Sequence, residues 1–205
     1  ICDKGEDIAA GTIIINKGDR ITSAHIAVLA GQGYKNIFVF KRIKIGVLAT
    51  GSELTKEAEL LPGKIYDSTG PLVCARLSEL GFEFDEMCEE DDLNNIAHEI
   101  KAMINHCDAV ITTGGVSVGQ KDYLPEAVEN LGADKLFHGV SMKPGSPMLV
   151  SKYKNKMIFS LSGNPFAASA TLELLALPVL YKIAGANQFM PEKDVLCLQT
   201  SFNKE

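Results

Sequence analysis

From residue 43 onward, continuous apolar segments alternate with amphipathic ones along the chain. The segments IKIGVLAT, DAVITT and KMIFSL show no regular polar alternation, which is typical of strands buried on both faces of a sheet. Between them, GPLVCARLSELG and DDLNNIAHEIKAMINHC have the apolar spacing and end signals of helices, and Asp91 or Asp92 is expected to cap the second. The pattern predicts an α/β fold, a three-layer sandwich whose mostly parallel sheet is connected by right-handed crossovers.

The first 42 residues have a different pattern. GTIIINKGDRIT and KNIFVF predict short strands, and SAHIAVLAGQG predicts a helix capped by Ser23 and ended by Gly31. We therefore expect the tail of a small, mostly β domain over residues 1–42. An α/β domain over 43–187 and the start of a truncated β domain over 188–205 are expected to follow. Because the chain begins without Met and stops soon after a new apolar run, we interpret it as a piece of a longer protein.

Composition argues against several classes of function. The net charge of −6 argues against nucleic-acid and membrane-surface partners, since both require a basic surface. No apolar run is expected to reach the roughly 18 residues of a membrane helix. Five cysteines without a CxxC pair predict reduced thiols in a cytoplasmic protein, and Cys107 is expected to be a core thiol. The four histidines do not show metal-ligand spacing, and His98 and His106 are expected at the helix surface.

Four glycine- and proline-rich loops follow predicted strands or lie next to one. They are VLATGSEL, TTGGVSVGQKDY, MKPGSP and LSGNPFAAS. In an open α/β sheet, ligands bind beyond the carboxyl ends of the strands, so these loops are expected to converge on one crevice. Glycine allows the backbone to approach a ligand, and free N–H groups at the next helix start favour an anion. The loop over residues 113–122 therefore predicts a phosphate or similar oxyanion site, and a plain tight turn is the alternative.

Three carboxylates accompany these loops, namely Glu53, Asp67 and Asp122. Carboxylates that face an anion repel it, so a divalent cation is expected between them, and Mg²⁺ prefers such oxygen ligands. Lys143 in MKPGSP would supply positive charge to an anionic ligand, held in place by Pro144 and Pro147. Capping or solvation is the simpler explanation for each acid, and solvation for the lysine.

The candidate substrate-binding residues come from the four loops and from the segment YDST. They are Thr50, Gly51, Ser68, Thr113, Gly114, Gly115, Ser117, Gly119, Pro144, Gly145, Gly163, Asn164 and Pro165. Asn164 and Pro165 also suit the start of a helix, so capping explains them nearly as well as binding does.

In chain order, ATGSEL, YDSTG, TTGGVSVGQKDY, VSMKPGSP and LSGNPFAAS resemble the molybdopterin molybdenumtransferases, the MoeA type that includes the E domain of gephyrin. KGEDIAAGTIIINKGDRIT is also similar to that family, so the resemblance covers nearly the whole chain. It implies an enzyme that takes adenylylated molybdopterin, releases AMP and inserts molybdate with Mg²⁺ present. It further implies a homodimer, an upstream adenylyltransferase as a partner, and catalytic residues matching Glu53, Asp67, Asp122 and Lys143.

The chain departs from the family's usual pattern at four positions. Ser146 replaces a lysine, Ser162 a proline and Thr69 an asparagine, and Gln120 stands where an acid is frequent. Two other functions remain open. One is a molybdopterin adenylyltransferase or CinA-like nucleotide-processing enzyme with the same α/β domain, and the other is a non-catalytic scaffold. The segment KGEDIAAG favours the molybdenumtransferase, because those other enzymes lack it.

Overall fold

The computed structural model describes residues 3–55, 57–89, 92–116, 123–191, 193–195 and 197. Its helices and strands are α1 (Ser23–Gly31), β1 (Lys44–Thr50), β2 (Leu54–Thr55), β3 (Ile65–Tyr66), α2 (Thr69–Glu79), β4 (Glu83–Glu89), α3 (Leu93–His106), β5 (Ala109–Thr113), α4 (Leu124–Asn130), β6 (Asp134–His138), β7 (Leu149–Tyr153), β8 (Lys156–Leu161), α5 (Pro165–Thr171) and α6 (Leu177–Ile183). A π-helical turn, Leu172–Ala176, joins α5 to α6.

Six strands form one mixed sheet in the order β4-β1-β5-β8-β7-β6. Strands β4, β1, β5 and β8 run parallel, β7 is antiparallel to β8, and β6 is antiparallel to β7. Strands β2 and β3 form a separate parallel pair. The mostly parallel α/β architecture predicted from the apolar runs is therefore confirmed.

The sheet separates two cores, which explains the missing polar alternation. Val47 packs into the cluster that includes residues of α2, α5 and α6, whereas the next residue, Leu48, packs into the cluster of α3 and α4. Both side chains are fully buried. Successive side chains of a strand point to opposite faces, so a strand covered on both faces must be apolar throughout. Each such burial contributes about 1.5–3 kcal/mol to folding.

Local signals place most helix ends. The side chain of Asp92 accepts a hydrogen bond from the backbone N–H of Asn95 at 2.9 Å, which confirms it as one of the two predicted caps of α3. Helix α1 ends at Gly31 as predicted, but its cap is Thr22 rather than Ser23, which is the first helical residue. The backbone of Thr22 is extended, and its side chain forms a capping box with His25, so the cap lies one residue earlier than predicted.

The strands predicted in GTIIINKGDRIT and KNIFVF are wrong. Within residues 3–42 the structure contains α1 and no strand. Ile13 and Val39 are 75% and 65% exposed, so these apolar runs have no neighbouring strand to pack against. A strand needs a partner for its backbone hydrogen bonds, and an apolar pattern does not provide one. The assignment of residues 1–42 to a mostly β domain stays a prediction.

One continuous helical stretch differs from the expectation that no apolar run reaches the length of a membrane helix. Pro165–Ile183 has 19 residues and a mean hydropathy of 1.4, so it is long and apolar enough to cross a membrane. In this fold Ala168, Leu172 and Leu177 pack in the core on one face of the sheet. Core packing therefore accounts for the composition of this stretch.

Candidate functional site

The four loops meet at one edge of the sheet. Strands β1, β5 and β8 run parallel and end there, at Thr50, Thr113 and Leu161. Strand β7 is antiparallel to β8 and pairs Leu149 with Ser160, so its first residues lie at the same edge, directly after MKPGSP. The predicted convergence is confirmed for the described parts of the loops, and we call this the carboxyl edge.

An open pocket of ≈ 80 Å³ lies at the carboxyl edge. Its lining residues come from the ends of β1 and β5, from the start of α2 and from the loop after β8. They are Thr50, Glu53, Leu54, Ile65, Tyr66, Asp67, Ser68, Thr69, Thr113, Gly114 and Gly163. Two of the three predicted acids, Glu53 and Asp67, thus share one pocket. Sequence reasoning missed Leu54, Ile65 and Tyr66, whose only signal was that they adjoin these acids.

Glycine brings the strand ends into backbone contact. Gly114 has φ +89°, and a Cβ atom there would overlap the carbonyl oxygen of Thr50. A Cβ on Gly163 would lie 3.4 Å from the Cα of Gly114. The hydroxyl of Thr50 donates a hydrogen bond to the carbonyl of Thr113 at 3.3 Å. The floor of the pocket is therefore closely packed backbone, and its shape requires glycine at position 114.

Asp67 uses one carboxylate oxygen to hold the start of α2. Its Oδ1 accepts hydrogen bonds from the backbone N–H groups of Thr69 and Gly70, at 2.9 and 3.1 Å. A Cβ on residue 70 would collide with Oδ2, so the close approach of this carboxylate depends on Gly70. Oδ2 has no hydrogen-bond partner among the described residues and stays available to a ligand.

Glu53 folds back over the end of β1. A Cβ on Gly51 would lie 2.8 Å from Glu53 Oε1, so glycine makes room for this carboxylate. Two contacts fix its loop: the N–H of Ile65 donates to the Glu53 carbonyl at 2.8 Å, and Lys64 Nζ donates to the Ser52 carbonyl at 2.7 Å. Neither Glu53 nor Asp67 forms an ion pair with another described residue. Two unpaired carboxylates at one pocket favour a cation there.

The MKPGSP loop packs beside the pocket but does not line it. Gly145 is buried with φ +105°, and a Cβ there would lie 2.7 Å from side-chain atoms of both Met142 and Thr171, so the loop rests on α5. Lys143 is exposed, is joined to Pro144 by a cis peptide bond, and forms no ion pair within the described part of the chain. The structure thus brings Lys143 to the predicted edge without placing it in the pocket wall.

Helix capping accounts for Asn164. Its Oδ1 accepts hydrogen bonds from the backbone N–H groups of Phe166 and Ala167, at 3.0 and 3.1 Å, and Pro165 is the first residue of α5. A ligand role for Asn164 and Pro165 stays a prediction, as it does for Gly51 and Gly115, which lie next to lining residues.

Two departures from the family pattern have structural roles here. The Thr69 hydroxyl donates to the Gly163 carbonyl at 2.7 Å, which ties the start of α2 to the loop after β8. The Ser162 hydroxyl accepts from the N–H of Asn164 at 3.2 Å. Both side chains therefore stabilise the loop that contains Gly163. The predicted residues Ser117, Gly119, Gln120 and Asp122 lie outside the described residues, and their roles stay predictions.

Sequence reasoning also missed His138, the last residue of β6. Its Nε2 lies 3.0 Å from the carbonyl oxygen of Val116 in the glycine-rich loop. Spacing gave no signal for this contact, because 22 residues separate the two positions. Strands β8 and β7 lie between β5 and β6 in the sheet, so the contact is made by the chain that continues beyond β5 and not by neighbouring strands.

At the opposite, amino edge of the sheet, charged side chains are paired with one another. Lys44 Nζ lies 2.7 Å from Asp85 Oδ2, and His106 Nε2 lies 3.0 Å from the same oxygen. The hydrogen bond from Lys44 holds the pKa of Asp85 below its usual value. His106 is therefore more than the surface residue predicted, since it joins α3 to β4.

The ligand atoms of Asp85, His106 and Cys107 lie within 4.8 Å of one another, close enough to surround a metal ion. Two observations oppose a metal there. The ammonium of Lys44 already contacts the Asp85 carboxylate. Burial raises the pKa of the Cys107 thiol and so disfavours the thiolate that binds metals. Cys107 is fully buried, which confirms it as a core thiol.

The chain is similar to known proteins in both sequence and structure. A family model described as "Probable molybdopterin binding domain" matches residues 46–182. The molybdopterin molybdenumtransferase of Staphylococcus epidermidis is 41% identical over 203 residues, which cover 98% of this chain and 48% of that protein. A molybdopterin biosynthesis MoeA protein from Pyrococcus horikosii has a TM-score of 0.81 and 31% identity, over 91% of this chain and 47% of that one.

A more distant structure shows how widely the α/β architecture is shared. The tungsten cofactor synthesizing protein MoaB from Pyrococcus furiosus has a TM-score of 0.52 at 22% identity and covers 72% of this chain and 99% of its own. That likeness shows the fold alone. The chain spans about half the length of the curated relatives it matches.

Proposed function

Because this chain belongs to the molybdopterin-binding-domain family, we propose that the protein it forms part of inserts molybdate into molybdopterin. The substrate is adenylylated molybdopterin, and AMP is released. The observation that carries the proposal is the pocket at the carboxyl edge, where Glu53 and Asp67 lie together without a described cationic partner. The homology to molybdopterin molybdenumtransferases over 98% of the chain supports it.

The pocket residues fit a magnesium ion. Asp67 keeps Oδ2 free while Oδ1 binds backbone N–H groups, and the Glu53 carboxylate lines the same pocket. Carboxylate oxygens are the ligands Mg²⁺ prefers, completed by substrate phosphate and water. We propose that Asp67, Glu53 and Asp122 would hold this ion. When bound, it would act as a Lewis acid toward the pyrophosphate oxygens.

The chain's own groups would orient the substrate and balance its charge. Water or a molybdate oxygen attacks the AMP phosphorus, the phosphoanhydride bond breaks, and the bridging oxygen stays on the phosphate of molybdopterin. AMP leaves with the new oxygen; where that oxygen came from molybdate, its Mo–O bond breaks as the dithiolene sulfurs bind molybdenum. Lys143 is unpaired in the described part of the chain, so its ammonium is available to the phosphoryl oxygens. The N–H of Gly114 already donates to the Leu161 carbonyl at 3.2 Å, so other N–H groups of the glycine-rich loop must serve the oxyanion.

The direct test uses the full-length protein with adenylylated molybdopterin, molybdate and Mg²⁺. We expect AMP release together with reconstitution of an apo-molybdoenzyme. Asp122→Ala should lower turnover at least about tenfold without a change in Tm, because it removes a proposed metal ligand. Glu83→Ala, an exposed carboxylate at the amino edge, is the matched control and should be unaffected. Normal cofactor insertion by Asp122→Ala would refute the assignment.

A molybdopterin adenylyltransferase or CinA-like nucleotide-processing enzyme is the alternative, because such enzymes are expected to have the same α/β domain. The Staphylococcus molybdenumtransferase matches 98% of this chain, including residues before the α/β domain, which favours the molybdenumtransferase. Incubation with molybdopterin and ATP, without molybdate, separates the two, since AMP transfer under these conditions would identify the adenylyltransferase. Isothermal titration calorimetry tests the other alternative, a non-catalytic scaffold. If neither Mg²⁺ nor molybdopterin binds at millimolar concentration, the scaffold is supported.

Three expectations from the sequence belong to this proposal. The full-length protein is a homodimer, it acts in the cytoplasm, and an upstream adenylyltransferase supplies its substrate. Light scattering of the full-length protein tests the first, and a monomer at assay concentration would contradict it.

A further inference from the structure

We infer that His138 is a positioning residue that fixes the glycine-rich loop of the site. It is the last residue of β6, and its Nε2 lies 3.0 Å from the carbonyl oxygen of Val116. A carbonyl oxygen only accepts hydrogen bonds, so Nε2 must carry the hydrogen. Both the neutral Nε2–H tautomer and the imidazolium provide that donor. The contact therefore does not require a charged histidine.

The histidine bond differs from the backbone hydrogen bonds that anchor this loop. The N–H of Gly114 donates to the Leu161 carbonyl at 3.2 Å, and the N–H of Leu124 donates to the Gly115 carbonyl at 3.3 Å. Both are backbone bonds that do not depend on the side chains at those positions. Among the described residues, two side chains from other strands anchor residues 113–116: the Thr50 hydroxyl donates to the Thr113 carbonyl at 3.3 Å, and His138 binds the Val116 carbonyl at 3.0 Å, at the far end of this segment. A substitution of His138 can therefore alter the placement of the glycine-rich loop while the loop's own sequence stays the same.

The same residue connects two parts of the site. Strand β6 leads from His138 directly into the loop that contains Lys143. That loop is closed by hydrogen bonds from the N–H of Gly139 to the Met148 carbonyl, at 2.8 Å, and from the N–H of Val140 to the Ser146 carbonyl, at 2.9 Å. Because Val116 is buried among the residues of α3 and α4, its carbonyl is a firm attachment point. His138 thus holds the glycine-rich loop and the lysine loop in register.

Hydrogen exchange tests the structural part of this inference without reference to activity. In the full-length protein, His138→Leu removes the donor, whereas His138→Gln keeps an N–H near the position of Nε2. We expect about tenfold faster exchange over residues 113–116 and at Leu124 in His138→Leu, and exchange close to wild type in His138→Gln. His98→Leu, on exposed α3 surface, is the matched control. Equal exchange in all variants would overturn the inference.

The activity readout rests on the proposed function. We expect kcat/KM for AMP release to fall about tenfold in His138→Leu and to recover in His138→Gln, with an unchanged pH profile. If His138→Gln is as inactive as His138→Leu and loses a limb of the pH profile, His138 is an acid–base group and the inference is wrong. If wild-type protein releases no AMP, the proposed function fails, while the exchange difference still decides whether His138 positions the loop.

Discussion

The two edges of the six-stranded sheet use their charged side chains in opposite ways. At the amino edge, Lys44 and His106 lie 2.7 and 3.0 Å from one oxygen of Asp85. At the carboxyl edge, Glu53, Asp67 and Lys143 form no ion pair with any described residue. Oδ1 of Asp67 and carbonyls of the loops are instead bound by backbone N–H groups.

This difference separates stabilising charges from functional ones. Paired charges satisfy one another and join elements, as Asp85 joins β4 to β1 and α3. Unpaired acids that share a pocket are instead available to a ligand that supplies positive charge. Loss of a charge at the carboxyl edge should therefore lower activity, and loss of a paired charge at the amino edge should lower stability alone.

The largest expected effect is at Gly114. Gly114→Ala forces a side chain onto φ +89° and places its Cβ against the Thr50 carbonyl, so we expect a loss of more than about 2 kcal/mol of unfolding free energy. Gly81→Ala is the control, because φ is +80° there but nothing lies within 4 Å of the added Cβ. Chemical denaturation of both variants gives the comparison. Equal losses of unfolding free energy in the two variants would show that the close contact between Gly114 and Thr50 does not contribute to stability.

Asp67→Asn separates the two roles of this side chain. Asn keeps an oxygen that can accept from Thr69 and Gly70, so Tm should stay near that of the wild type. The lost charge should lower AMP release at least about tenfold. Asp67→Ala should lose both activity and about 1 kcal/mol of stability. An active Asp67→Asn enzyme would contradict a charge-dependent role for this carboxylate.

Thr69→Val tests the link between α2 and the loop after β8. It removes the hydroxyl that donates to the Gly163 carbonyl, at a cost of about 1 kcal/mol in denaturant unfolding. Thr112→Val is the matched control, since the buried Thr112 hydroxyl has no hydrogen-bond partner among the described residues, and its removal should be neutral or stabilising. If Thr69→Val were as well tolerated, the link would be unimportant.

The smallest effect is expected for Asp85→Asn. Because Lys44 lowers the pKa of Asp85 in the folded protein, the ionised carboxylate stabilises the fold above its unfolded pKa of about 3.9. This contribution is lost as the pH falls through the lower, folded pKa. Asp85→Asn should therefore lower Tm by a few degrees at most at neutral pH, with no difference from wild type in strong acid. AMP release should be unchanged. A loss of activity would contradict the proposal that charges at the amino edge serve stability alone.

Several features could be predicted because they depend on nearby residues. Val47 and Leu48 are consecutive and both apolar, which already indicates a strand covered on two faces. Asp92 before an amphipathic run indicates a cap, and the glycines of TTGG indicate a close backbone approach. Glu53 and Asp67 could be assigned to one site because both lie in the connection from β1 to α2, beyond the carboxyl end of β1.

Other features depended on contacts between distant parts of the chain. The sequence of residues 3–42 is apolar enough for strands, but no neighbouring strand lies beside them among the described residues, so none forms. The antiparallel pairing of β7 with β8 brings Lys143 to the carboxyl edge, and the placement of β6 brings His138 to Val116. The spacing of apolar residues along the chain shows which side chains must be buried. The sequence by itself therefore determined the layers of the fold and the loops that bear the site. Which strands pair, and which donor meets which carbonyl, are set by long-range packing, so only the tertiary structure decided them.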